Sequence, residues 1–214
     1  MCIRDSIAAC GVQMVWEDNT PPRMLTRPGS RTLNRDEAMQ AIIEESCLKQ
    51  PVWYKLYKSK LVRDIRFPVG KYHEDVFWSY QAVGKANRVS VSDNVGYYYL
   101  QRGGSIMGEG YSTKRLDAIE AKVQRCDYMR EHFPQLAALS LKDLWFTCIY
   151  QGQCAMRGLN TDDAVKVLSF LKNVLRENPY QMNEGTVKEN LWLALTKNRL
   201  TMTCQIRNWL KIGL

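Results

Sequence analysis

Glu74 and Asp75 stand side by side between the tract Phe67-Pro68-Val69-Gly70-Lys71-Tyr72-His73 and the apolar run Val76-Phe77-Trp78. Pro68 and Gly70 mark the first tract as a loop. Val76, Phe77, Tyr80 and Val83 recur as one face of a helix does. The two acids therefore fall in the first turn of a predicted helix, at the mouth of a loop. Unpaired backbone N–H groups and the positive end of the helix dipole favour an ionised carboxylate there. Such a carboxylate can take a proton from an incoming hydroxyl group. The same pair also suits simple helix capping, because acids are common in first turns.

The elements that must position this pair can be read along the chain. Val12, Met14 and Trp16 alternate, which predicts a strand over 8–16. Residues 17–33 hold Pro21-Pro22, Pro28-Gly29 and many polar residues, and read as a loop. Asn34-Arg35-Asp36-Glu37 resembles a capping box. A helix with Met39, Ile42, Ile43 and Cys47 on one face follows and stops at Pro51. Val52–Tyr57 is aromatic-rich and partly extended, with a short helical turn over Lys58–Val62. After the helix at Glu74–Ala86 come two short strands, Arg88–Val91 and Val95–Leu100, with a turn at Ser92-Asp93-Asn94.

From Ser112 the pattern is helical. Ser112 can cap a helix with Leu116, Ile119, Val123 and Cys126 on one face. Pro134 opens a second helix running to about Met156. Thr161-Asp162-Asp163 starts a third, with Val165, Leu168, Leu171 and Leu175 inward, and Pro179 stops it. One or two more helices occupy Thr186–Leu214. The expected fold is α/β: a small mixed sheet over 1–110, incomplete at its N-terminus because so few strands can be counted, then an all-helical region over 111–214.

Composition is that of an ordinary globular protein, with 45% hydrophobic and 24% charged residues among 214. No apolar stretch has the length of a membrane span, and Met1–Ser6 has no signal-peptide core. The seven cysteines form no C-x-x-C pair, so reduced thiols in a cytosolic protein are expected rather than a disulfide framework or a structural zinc site. Net charge is +8, spread as +3 over 1–110 and +5 over 111–214. Such a balance suits anionic partners: a nucleotide diphosphate, a phospholipid surface or a nucleic acid.

Three tracts in order, Val52–Tyr57, Ile65–Phe77 and Tyr97–Ile106, resemble bacterial family 2 glycosyltransferases, which have the GT-A fold and serve surface-polysaccharide and lipopolysaccharide assembly. The resemblance covers about residues 8–110. It implies an inverting transferase that moves a sugar from a nucleotide-sugar donor to a saccharide or lipid-linked acceptor. By its motif Asp75 is the general base, and Glu74 orients the acceptor or holds the helix start. Arg102 and Ser105 match the segment that folds over the donor diphosphate, where an arginine fork and close-approaching Gly103-Gly104 amides suit phosphate oxygens. Lys55, with Trp53 nearby, matches a basic residue at the substrate site; if buried it needs a partner such as Glu74 or Asp75, whereas on the surface it can snorkel.

Members of that family begin with a nucleotide-binding half ending in an Asp-x-Asp motif for a divalent metal, Mn or Mg. Neither Asp5-Ser6 nor Asp93 reconstructs that motif, and Met1–Ser6 reads as adapter sequence. The resemblance thus makes this chain the C-terminal part of a longer enzyme, inactive by itself, with no metal ligands of its own. Its location would be cytoplasmic, peripheral at the inner face of the membrane. Lys197, Arg199, Arg207 and Lys211, with Ile206, Trp209, Leu210 and Leu214 on one helical face, could lie on an anionic membrane, or that face could dock on neighbouring helices.

Other chemistries find little purchase. His73 and His132 are the only histidines, and no H-E-x-x-H, Gly-x-Ser-x-Gly or Walker motif occurs. Tyr97-Tyr98-Tyr99 could stack on sugar or base rings or form a half-buried strand. The competing class is a non-enzymatic basic helical module binding nucleic acid or a partner protein. Basic residues interleaved with acids on most helices argue against nucleic acid.

Overall fold

The computed structural model describes residues 6–18, 20–26, 29–101, 110–181 and 185–213. The protein is mixed α/β, a small mixed sheet followed by helices. The chain divides into two compact units, Met1–Gly70 with Glu74–Glu109, and Lys71–His73 with Gly110–Leu214.

In the first unit, five strands form one sheet among the described residues. They are β1 (Ile7–Trp16), β2 (Arg23–Thr26), β3 (Arg31–Asn34), β4 (Lys55–Tyr57) and β5 (Arg88–Gln101). β1 runs parallel to β5 and antiparallel to β2 and β4, while β3 pairs antiparallel with β5. Two sequence expectations are corrected here. Residues 17–33 are not all loop, because Arg23–Thr26 and Arg31–Asn34 are short edge strands whose partners lie elsewhere in the chain. The two strands predicted across 88–100 are one, and the expected turn is an irregularity within it. Ala9 is level with Val91 but Gly11 with Val95, so β5 spends extra residues at Ser92–Asn94. A Cβ on Gly11 would lie 2.8 Å from the Asp93 carbonyl oxygen, which is why glycine faces the bulge.

Helix α1 (Arg35–Ile43) opens with the predicted capping box. The Glu37 N–H donates to Asn34 Oδ1, and the Asn34 N–H donates to Glu37 Oε2, both at 2.9 Å. It buries Ala38, Met39, Ala41, Ile42 and Ile43 and ends well before Pro51, leaving Cys47 beyond it. Helix α2 (Ser59–Val62) is a single turn, and α3 (Glu74–Gly84) buries Val76, Phe77, Trp78, Tyr80 and Val83. α1 packs against α3, β3 and β5.

The second unit is helical: α4 (Asp117–His132), α5 (Ala137–Gly158), α6 (Thr161–Glu177) and α7 (Val187–Trp209). Ser112 makes no side-chain cap; a 3₁₀ turn, Thr113–Leu116, intervenes before α4. α5 packs against each of the other three helices. Ile119 and Cys126 of α4 are buried as expected, and so are Leu168, Leu171 and Leu175 of α6. Val165 is a correction: it is 56% exposed. At 100° per residue it lies roughly 120° from the centre of the arc formed by Ala164, Val167, Leu168, Leu171 and Val174. Lys71 Nζ bonds Asp117 at 3.0 Å and Glu120 at 2.6 Å, and the Tyr72 N–H donates to Asp117 at 2.9 Å. Burial pushes the Asp117 carboxyl up, but the Tyr72 N–H and Lys71 together hold it below its ordinary value.

The α4–α5 seam carries a buried charge cluster. Arg125 is fully buried and donates to Ser140 Oγ at 3.1 Å and to Asp143, which also takes Lys122 Nζ at 2.7 Å. α7 docks through Leu193, Thr196, Leu200, Thr203, Cys204 and Arg207, with its helical backbone broken at Arg199 (φ −138°, ψ 44°). That is a different face from the one the sequence suggested. Trp209 is 81% exposed and Leu210 is also exposed, while Leu214 lies outside the described residues. Arg207, counted among the surface cations from the sequence, is buried: its Nε donates to Gln153 at 3.0 Å and its guanidinium lies over the Trp192 ring.

Candidate functional site

Three anchors set the start of α3. Ser79 Oγ donates to the Gln50 carbonyl at 2.6 Å, Trp78 Nε1 to the Ile65 carbonyl at 3.4 Å, and Phe67 stacks on Trp78 at 5.1 Å. The preceding loop takes positive φ at Gly70 (75°) and, less ordinarily, at His73 (56°). A non-glycine residue in that region costs on the order of 1 kcal/mol or more, and such strain gathers at sites that present chemistry. The loop delivers Glu74, exposed, and Asp75, half-buried, into the first turn of α3, as the sequence predicts.

Lys55 stands at the start of β4 and is 7% exposed. Its Nζ donates to the carbonyls of Lys49 at 2.5 Å and Gln50 at 3.4 Å, and to that of Pro51. It also lies 4.2 Å from the centre of the Tyr54 ring. Burial pushes the ammonium down to about 7, opposed by the negative charges of Asp75 and Glu45. The sequence reading offers Glu74 or Asp75 as a partner for a buried Lys55; Asp75 acts on it through its charge, while the hydrogen bonds of Nζ go to main-chain carbonyls. The carbonyl cage is not part of that reading, because three backbone oxygens converging on one Nζ leave no trace in residue types. The donors of Lys55 are directed at main-chain carbonyls, so it braces the turn over Lys49–Pro51.

The lowered value has a consequence for stability. In the unfolded chain a lysine titrates near ~10.4. Between about pH 7 and that value the unfolded state binds more protons, so stability rises with pH in this window. Below it both states carry the charge and the contribution is flat. Lys55→Met should remove this rise in the urea midpoint. It should also cost about 1–3 kcal/mol at pH 7, because the caged carbonyls lose their donor. Identical slopes for the two proteins from pH 7 to 10 would contradict the assignment.

Trp53 is exposed and lies beside Tyr97 (ring centroids 4.4 Å apart) and Tyr99 (5.0 Å). Tyr97 and Tyr99 share one face of β5 and Tyr98 occupies the other. The three rings form an aromatic shelf where the turn before β4 meets β5. Arg102 and Ser105 lie outside the described residues.

A groove of about 640 Å³ runs over the sheet past Ala8, Cys10, Arg31, Arg88 and Ser90; Asp75 does not line it. Among the described residues no three His, Cys, Asp or Glu side chains converge to hold a metal ion. The described residues therefore do not fit the divalent metal that the resemblance implies. Six described cysteines are free. Burial pushes the Cys126, Cys148 and Cys204 thiols up, which makes them inert packing groups rather than nucleophiles. No helix among the described residues is long and apolar enough to cross a membrane. No protein-family model and no curated protein matches the chain.

Proposed function

We propose that this chain is the acceptor-side part and helical C-terminal region of an inverting, nucleotide-sugar-dependent glycosyltransferase of surface-polysaccharide or lipopolysaccharide assembly. One observation carries it: Asp75 is held in the first turn of α3, behind a loop with two left-handed residues and near the Lys55 ammonium. In the reaction the Asp75 carboxylate accepts the proton of the acceptor hydroxyl as its oxygen bonds the anomeric carbon. The bond from that carbon to the donor phosphate breaks, and the nucleoside diphosphate leaves with the electron pair. Glu74, one residue earlier and exposed, would orient the acceptor. Trp53, Tyr97 and Tyr99 offer an aromatic surface to the C–H face of a sugar ring. Exposed Trp209, Leu210 and Lys211 at the end of α7 suit contact with an anionic membrane that holds a lipid-linked acceptor.

A nucleic-acid module has less support. Lys122, Arg125, Arg130 and Lys166 each pair with a carboxylate rather than joining a basic stripe.

The test is sugar transfer by the protein translated from the reading frame extended upstream of Met1. With divalent metal and a panel of nucleotide-sugars it should transfer with inversion, seen by NMR of the anomeric proton, while the 214-residue chain should not. An upstream frame without a strand–helix series ending in Asp-x-Asp, or an extended protein inert toward every donor, would remove the basis of the proposal.

A further inference from the structure

The helical unit holds a groove of about 550 Å³ between α6 and α7, far in sequence from Asp75. Ser169, Lys172, Asn173 and Arg176 line one wall. They recur at i, i+3, i+4 and i+7, so they form a single polar stripe of α6, opposite its buried apolar face. Lys197 and Asn198 of α7 line the other wall, immediately before the backbone break at Arg199. Trp145 and Tyr180 make an apolar floor.

The groove brings together three cations and, among its described lining residues, no carboxylate. Lys172 and Lys197 form no ion pair among the described residues, and Arg176 donates to Asn173 Oδ1 at 3.2 Å. Lys166, on the same helix but off the groove, is neutralised by Asp163 at 2.8 Å. Lys172 and Arg176 are like charges four residues apart, an arrangement that costs a helix a few tenths of a kcal/mol when no anion answers it. Arg176 is repaid in part by the helix C-terminus; Lys172 and Lys197 are not.

From this convergence we infer a second ligand site, for a phosphate-bearing small molecule. Three positive charges exceed what one carboxylate would neutralise. An arginine fork, two ammonium groups and the Ser169, Asn173 and Asn198 side chains match the many oxygens of a diphosphate or phosphomonoester. The apolar floor accommodates the carbon part of the ligand.

The experiment is titration of the 214-residue chain with inorganic pyrophosphate by calorimetry, at about 0.15 M ionic strength. The expected result is saturable binding that weakens at least about tenfold in Lys172→Glu/Arg176→Glu, since two charge-assisted hydrogen-bonding groups are reversed. Lys166→Glu/Lys188→Glu changes net charge equally and should bind like the parent. All four positions are exposed, and circular dichroism checks the fold. Lys197→Gln is a milder variant expected to weaken binding by a smaller factor. Equal affinity in both double variants, or no binding by the parent, overturns the site. A parallel arm uses vesicles of phosphatidylglycerol against phosphatidylcholine. Adsorption to the anionic vesicles without pyrophosphate binding would assign the charge to a lipid headgroup surface and overturn the soluble ligand.

Discussion

Replacing Asp143 by alanine should lower the free energy of unfolding by about 3 kcal/mol, the low end of what breaking a buried ion pair costs. The guanidinium of Arg125 is fully buried, and without Asp143 its remaining partner is the Ser140 hydroxyl. Lys122 loses its carboxylate in the same step. The low end applies because the Asp143 side chain is 26% exposed, so water can partly answer the two cations. That loss is a large share of the ~5–15 kcal/mol typical of a whole domain. Arg125→Met combined with Asp143→Leu should be far milder than the single change, since it removes both charges rather than orphaning one.

The pH dependence follows from the same cluster. Burial pushes the Asp143 carboxyl up, but Lys122 and Arg125 outweigh it and hold it below its ordinary value. A depressed carboxyl stabilises the fold above its unfolded value of ~3.9 and loses that contribution as pH falls further. The urea midpoint of the parent should therefore fall below about pH 4, and Asp143→Asn should flatten that fall. A single alanine variant as stable as the parent would show that the cluster holds nothing together.

On the proposed transferase reading, Asp75→Asn in the longer protein should lower kcat by about 10²–10⁴-fold, the contribution of a positioned general base. The amide nearly preserves shape, so α3 should start where it does now and KM for the donor should hardly move. Glu74→Gln should cost less and act mainly on KM for the acceptor. A loss shared equally between donor KM and thermal stability would point instead to a cap on α3, with the chemistry elsewhere. The proton acceptor reading requires the loss to sit in kcat.

Much of this arrangement was legible in residue order. Alternation gave away β1, the Asn34-to-Glu37 spacing gave away the start of α1, and Glu74-Asp75 ahead of an apolar run gave away the start of α3. These signals are local. What escaped is non-local. β2 and β3 lie in a tract of proline, glycine and polar residues, and they are strands because β1 and β5 offer them backbone partners. Ser92–Asn94 has the composition of a turn and forms a bulge because both flanking segments pair with β1. The carbonyl cage of Lys55 is made of main-chain atoms. The polar stripe of α6 could have been read from its spacing, but that Lys197 faces it depends on how α7 packs.

The parallel pairing of β1 with β5 also bears on how the first unit is made in the cell. Ile7 is level with Val89, 82 positions further along. At ~5–20 residues per second, a ribosome needs roughly 4–16 s to supply that partner. Throughout the interval the apolar early strand has no permanent neighbour on its β5 side and is open to mispairing with other nascent chains. The helices that follow close over short spans and fold fast once released. The interval before Gln101 is made is thus the stage at which a chaperone would matter most.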